Sequence, residues 1–406
     1  MDYVFHYNML NKSKINKVIL FALLLIFSCK ERVDDSIFFT LKINNISIQP
    51  IQTNDLFSQI EYILLETLPD CLLKEDQMEV SVTDKYIIAN NTYMDIGGAF
   101  LFDRKTGKFL YEIGKRGQGP GEYTSILAYP FNEKYELFYV FRDLQRIGID
   151  INTNKEVERV FKSISEEPVN EELTINIRVY SMYNIYKMDS LLYIGYTINH
   201  HGDFPYLLFI FDKDGNIIKK YPNHQKYIDY LPRGTMYPGL FYEFDNRLYF
   251  REYKYNDTVF QVSTDTIIPH IVFDLGRKKP DYAEQENLEK NQDCIWLNYV
   301  QETTKYILFS YYENAKGYFE GYYNKENGKI ASSFADMEEK RGFVHESNLY
   351  PPLHITTINK FEEVISVIKV RDMLEYIEKN NLEKYPEKFN SLKEDDNPIV
   401  VIATLK

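Results

Sequence analysis

The sequence predicts an all-β chain folded as a six-bladed β-propeller of four-stranded antiparallel blades. Three observations predict it: Tyr and Phe concentrated in short apolar runs, a hairpin phrase that recurs five times, and strands at the two ends of the chain that lack local partners. The 35 Tyr and 27 Phe against one Trp make 16% of the 406 residues aromatic, a composition suited to pleated, half-buried surfaces rather than helical bundles. From Ile37 to Phe273 there is no long helical period. Runs of four to seven β-favouring residues alternate instead with Gly, Asn and Asp, among them Tyr86–Ala89, Leu137–Val140, Leu191–Ile194 and Arg247–Phe250.

The recurring phrase is an apolar strand that runs into a polar residue and then a Gly or Asn. Its clearest copies are Phe100–Lys108, Leu208–Asn216 and Gly321–Lys329, with weaker ones at Ile147–Lys155 and Val259–Thr266. An Asp or Asn side chain can bond its own backbone two residues on, and Gly or Asn then supplies the left-handed residue that reverses the chain. The polar residues stand at 103, 150, 212, 263 and 324, at intervals of 47, 62, 51 and 61 residues, which suits four-stranded blades with variable loops. Five blades are thereby marked. The sixth is assigned to the strands Glu61–Leu65 and Ile399–Ala403, whose pairing would close the ring and hide its sheet edges.

Two stretches, Pro280–Asn291 and Asp372–Asp395, read as small helical insertions on the rim, or for the second a helix under the closing blade. No Gly/Ser- or Pro-rich linker divides the chain. Residues 37–406 are expected to form a single domain, preceded by a signal peptide over 1–28 and a tether over 29–36.

The leader is read from its layout. Lys12, Lys14 and Lys17 precede ten apolar residues, Val18–Phe27, and then Ser28-Cys29. Ten residues rise only about 15 Å as a helix, about half the hydrocarbon thickness, so a permanent membrane span is the poorer reading. Ile26-Phe27-Ser28-Cys29 resembles a bacterial lipobox, with Phe27 larger than the usual residue there. It implies cleavage before Cys29 and acylation of its thiol, and Met9 is an alternative start. The expected partner of that cysteine is membrane lipid, in the cell envelope and by expectation the outer membrane, on either its periplasmic or its outward side.

Charge excludes one class of partner. Losing Asp2 and three lysines with the leader takes the formal charge from −13 to −15, and the remaining Lys and Arg form no stripe, so no nucleic-acid role is expected. With Cys29 acylated, Cys71 and Cys294 are left, either as a pair or as buried free thiols.

Gly114-Lys115-Arg116-Gly117-Gln118-Gly119-Pro120-Gly121-Glu122-Tyr123, followed by Glu136–Val140, Arg142-Asp143 and Arg146–Asp150, resembles an NHL-type propeller repeat. With Tyr253–Phe260 and Glu394–Val401 the chain is similar to the six-bladed, NHL/TolB-like β-propeller lipoproteins of Bacteroides-type bacteria, over about Glu61 to Lys406. The resemblance implies the fold and the anchor, and no settled activity.

Candidate chemistry is sparse. The Arg116–Tyr123 loop could present backbone N–H groups to an anion, though its glycines serve equally well for a tight passage between blades, and no Lys-Thr pair makes it a P-loop. Arg116, Glu122, Tyr123, Arg142 and Arg146 are the candidate binding residues. His200, His201 and Asp203 could converge on a metal only from a loop, and a solvated loop explains them as simply. His224, His270, His345 and His354 have no ligand spacing, and no metal or cofactor site is assigned. Carboxylate pairs such as Glu313/Glu320 or Asp95/Asp103 are too easily drawn to name a catalytic couple, and no Gly-x-Ser-x-Gly elbow is present. The aromatic loops expected at Tyr221–Tyr242 and Tyr311–Tyr323 are the best hint of sugar or peptide binding. The leading expectation is a non-enzymatic envelope propeller that binds or scaffolds a glycan or protein partner. The rival is a lyase- or lactonase-like enzyme with a metal in the central channel.

Overall fold

Each of the five phrases forms a turn between the third and fourth strands of its blade. In the computed structural model Asp103, Asp150, Asp212 and Asn324 end the third strand of a blade and Ser263 follows directly on one, and each side chain accepts hydrogen bonds from the backbone of the turn that leads into the fourth strand. Gly107, Asn154, Gly215 and Gly328 then take positive φ, as the reversal requires. The structure describes residues 38–406 except 45, 75–77, 92–97, 120, 143–144, 161–166, 171–172, 176–181, 198–203, 227–238, 253–254, 285–286, 288, 315, 336–341, 348 and 381–384. The leader, Cys29, the tether, Asp95, His200, His201 and Asp203 lie outside the described residues.

Thr40–Lys406 form one compact unit that contains six four-stranded antiparallel blades. Blade 1 spans residues 78–112, blade 2 125–160, blade 3 182–222, blade 4 239–274 and blade 5 295–334. Blade 6 takes three strands from the C-terminal part, Thr357–Ile358, Glu363–Ile368 and Ile399–Leu405, and its outer strand, Phe57–Leu64, from the N-terminal part. Val400 faces Ile63 and Val401 faces Tyr62 in that seam, so the expected closure by the two ends is the observed one.

The second and third strands of each blade are covered on both faces by neighbouring sheets, which is why their sequences are nearly unbroken apolar runs. Tyr86–Asn91, Leu137–Arg142 and Leu192–Thr197 are second strands, and Phe138, Phe209, Phe250 and Phe309 are fully buried between blades. Outer strands have one free edge. In blades 1, 2 and 3 that strand carries a β-bulge whose extra residue, Leu110, Val157 or Ile218, points outward, and a bulged edge is a poor template for another chain. Blades 4 and 5 are covered instead by the chain that leads to blade 6. Phe39–Lys42 lies outside the last strand of blade 4, and Ile48 bridges Ser332 on the last strand of blade 5. Ile51–Gln52 then runs parallel to Phe343–Val344 before Phe57–Leu64 enters blade 6. This belt was not anticipated from the sequence.

The helical expectations divide. Val370–Lys379 is an α-helix that buries Val370, Met373 and Tyr376 against the core of the closing blade, as the second placement anticipated. Pro280–Asn291 is a series of turns among its described residues. Asp281 accepts from the N–H groups of Ala283 and Glu284, and Asn287 from Lys290, local bonds that compete with a helix. No described helix is long and apolar enough to cross a membrane. Cys71 and Cys294 are both buried and free, and burial pushes both thiols up.

Candidate functional site

The first strands of the six blades stand around a central channel of about 900 Å³. An inner strand sees its own sheet on one side and the channel on the other, so it can carry polar residues that the middle strands exclude. Asn132, Asn184, Tyr186, Tyr242, Tyr299 and Gln301 all line the cavity.

One mouth is plugged. Between the first and second strands of blade 2 the chain turns through Glu133 and Lys134. The Lys134 ammonium donates to Glu243 of blade 4 at 2.9 Å and to the Met188 carbonyl of blade 3 at 3.3 Å. Both Glu133 carboxylate oxygens accept from the backbone N–H of Lys360 in blade 6, at 2.9 and 3.0 Å. Blade 2 neighbours neither blade 4 nor blade 6, so these bonds cross the mouth. Burial pushes the Glu133 carboxyl up to about 7, with the Lys360 N–H pulling the other way.

Between blades 2 and 3 the wall is cationic. Arg146, 4% exposed, donates through Nη1 to the Ile185 carbonyl at 2.7 Å and lies 4.1 Å above the Tyr139 ring, while its Nε has no partner. Tyr139 donates to Glu158 at 2.7 Å, and the same carboxylate pairs with buried Lys187. Two buried cations thus share one carboxylate. Burial pulls Arg146 down to about 10, the direction expected of a guanidinium without an ion-pair partner. Two more buried donors on the channel wall are unpaired: Asn132 Nδ2, whose Oδ1 accepts from Tyr135, and the Tyr242 hydroxyl. Across the ring the charge is settled differently. Burial would raise Glu302, but His270 and Lys325, each at 2.6 Å, hold it below the usual carboxylate range.

Of the five candidate binding residues only Arg146 reaches the channel. Arg116, Glu122 and Tyr123 lie in the connection from blade 1 to blade 2, and that loop is filled by its own carboxylate. Glu122 accepts from Gly119 N–H at 2.8 Å and pairs with Lys115 at 2.6 Å, and a Cβ on Gly117 would stand 2.0 Å from its Oε2. The glycines are there to admit Glu122. Arg116 forms a parallel bridge with Tyr123, whose ring packs between blades 1 and 2. Arg142 pairs with Glu156 on the outer strand of its own blade.

The other candidates also resolve into structure. Glu313 pairs with Lys278 and Lys316, and Glu320 accepts from His354 and the Ile355 N–H, so the two carboxylates form no couple. His345 bonds the Tyr62 hydroxyl at 2.6 Å, and burial pulls it down to about 4. Among the described residues no three His, Cys, Asp or Glu side chains gather closely enough to hold a metal ion. Tyr311–Tyr323 is not a loop but the second and third strands of blade 5, where Trp296, Tyr312 and Tyr318 stack across three strands. Tyr221 is a core residue and Tyr242 a channel residue. Asn132, Glu133 and Lys134 carried no signal that would have singled them out, because rank within a blade is what brings them to the axis, and Tyr242 stood out only as the end of the Tyr-rich segment 221–242.

A family model described as "Domain of unknown function (DUF4934)" matches residues 37–404. The chain belongs to the DUF4934 family. Two solved structures are similar to this DUF4934 chain. A predicted exported protein of Bacteroides fragilis is 14% identical, with a TM-score of 0.60 over 91% of this chain and 99% of that one. A member of the DUF4221 family from Bacteroides vulgatus is 9% identical, with a TM-score of 0.49 over 89% and 98%. At such identity the first likeness speaks for the DUF4934 fold alone. No curated protein is a detectable relative.

Proposed function

We propose that this propeller is a non-enzymatic binding protein of the cell envelope, held to lipid through Cys29, and that it takes a glycan fragment into the channel from the mouth opposite the Glu133–Lys134 plug. The observation that carries the reading is the channel wall itself. Its cavity of about 900 Å³ has room for a short oligosaccharide, and Tyr, Asn and Gln side chains converge there with buried donors left unpaired. Aromatic faces and amide or hydroxyl donors are what a sugar's C–H faces and hydroxyls require. A glycan array probed with the full-length protein is expected to retain a defined oligosaccharide, and Tyr242→Ala is expected to weaken that binding at least about tenfold, the loss of roughly 1.4 kcal/mol. Retention unchanged by Tyr242→Ala would move the site out of the channel.

The anchor rests on the leader's layout, and the exported character ascribed to the B. fragilis relative agrees with it. Cys29→Ser is expected to abolish incorporation of labelled palmitate and to move the protein from the membrane to the soluble fraction. Unchanged labelling would place any acyl group elsewhere.

A further inference from the structure

The unpaired groups around Arg146 specify more than a sugar. A buried guanidinium normally sits against a carboxylate, because an isolated charge in the interior is costly and the pair offsets much of that cost. Among the described residues Glu158 is the one acid beside two buried cations. It is already engaged by Lys187 and by the Tyr139 hydroxyl, and Tyr139 in turn lies under Arg146. The cluster therefore carries one uncompensated positive charge on the channel side of blades 2 and 3. Arg146 Nε and Asn132 Nδ2 lie on this same wall, both buried, both donors and neither with an acceptor. The far wall carries no such surplus cation, because Glu243 and Glu302 there are already paired, with Lys134 and with His270 and Lys325. A dianion such as a phosphate ester would exceed the one spare charge, whereas a single carboxylate matches it.

Resting on the glycan reading of the same channel, we infer that the glycan is acidic and that the carboxylate of a uronic acid unit docks on Arg146, assisted by Asn132. The planar guanidinium, held over the Tyr139 ring and by the Ile185 carbonyl, is fixed before the ligand arrives, so little ordering is left for binding to supply.

The probes are cellobiouronic acid and cellobiose, which differ only in a carboxylate where the neutral sugar has a hydroxymethyl group. Titrated calorimetrically into the full-length protein at neutral pH, the acid is expected to bind at least about tenfold more tightly, with a preference that shrinks as salt is added. Arg146→Gln is expected to bring the two affinities together, and a thermal melt that matches the parent's shows that the variant is folded. The comparison in the unmodified protein needs no variant and stands even if Arg146→Gln does not fold. Equal affinity for the two sugars, or a preference that survives Arg146→Gln, would overturn the uronate assignment and leave the glycan reading standing. Binding of neither sugar would overturn both.

Discussion

Removing Ile399–Lys406 is expected to leave the chain unable to hold a folded ring. Ile399–Leu405 is the third strand of blade 6 and lies between Glu363–Ile368 and Phe57–Leu64. Ile399, Val400, Val401 and Ile402 are all at most 1% exposed, and fully burying four such side chains stabilises by roughly 6–12 kcal/mol. That is comparable to the whole stability of an ordinary domain. The loss is larger still, because Phe57–Leu64 pairs with no other strand among the described residues and would be cut loose with it. Circular dichroism melts of the truncated and full-length chains check this. A cooperative transition within a few degrees of the parent would mean that the ring does not depend on its seam.

A single substitution at the joint between blades 1 and 6 is expected to cost about 3–5 kcal/mol. Arg104 follows Asp103 in the recurring turn and reaches out of its own blade, with both Nη atoms on the Glu363 carboxylate at 2.9 and 2.7 Å. Its Nη1 also donates to the Thr83 carbonyl, and Asn359 bonds both Glu363 and the Val82 carbonyl. Both charged side chains are under 15% exposed, so Arg104→Ala strands a buried carboxylate. Urea unfolding of Arg104→Ala, Glu363→Gln and the double variant measures the pair directly, and the double variant should be more stable than Arg104→Ala alone because no orphan charge remains. A loss below about 1 kcal/mol for Arg104→Ala would show that water reaches the pair and screens it.

Lys325 holds the corresponding place in blade 5. Its backbone N–H donates to the Lys305 carbonyl as that of Arg104 does to Lys85, and its ammonium reaches the Thr303 carbonyl. The turn is therefore a repeated device with one variable side chain, which explains why it was legible. Legibility followed burial. Second and third strands are enclosed on both faces, so Leu137-Phe138-Tyr139-Val140 and Leu208-Phe209-Ile210-Phe211 announce themselves as strands. The fourth strand of blade 2, Lys155–Val160, is largely exposed and reads as a charged stretch. The first strands were equally quiet, because the wall of a channel tolerates polar residues at positions a core would fill with aliphatic ones. For that reason six blades could be read from the sequence but the site could not. Arg146 was visible only as part of a repeat, and Asn132 and the plug residues Glu133 and Lys134 look like any turn. The belt over residues 39–52 escaped notice because its short strands have partners hundreds of residues away, and no local pattern encodes them.

That belt has a consequence for how the molecule comes into being. The residues that gird blades 4 and 5 and form the rim of blade 6 are synthesised before any of those blades exist, and the strand that pairs with Phe57–Leu64 is the last of the ring's strands in chain order. Blades 1 to 5 are local hairpin stacks that can form in order, while Phe57–Leu64 has to wait, unpaired, until Ile399–Leu405 arrives. Completion of the ring is then a single late event of very long sequence separation, the kind of step that is slow and leaves strand edges open to other molecules until it is done.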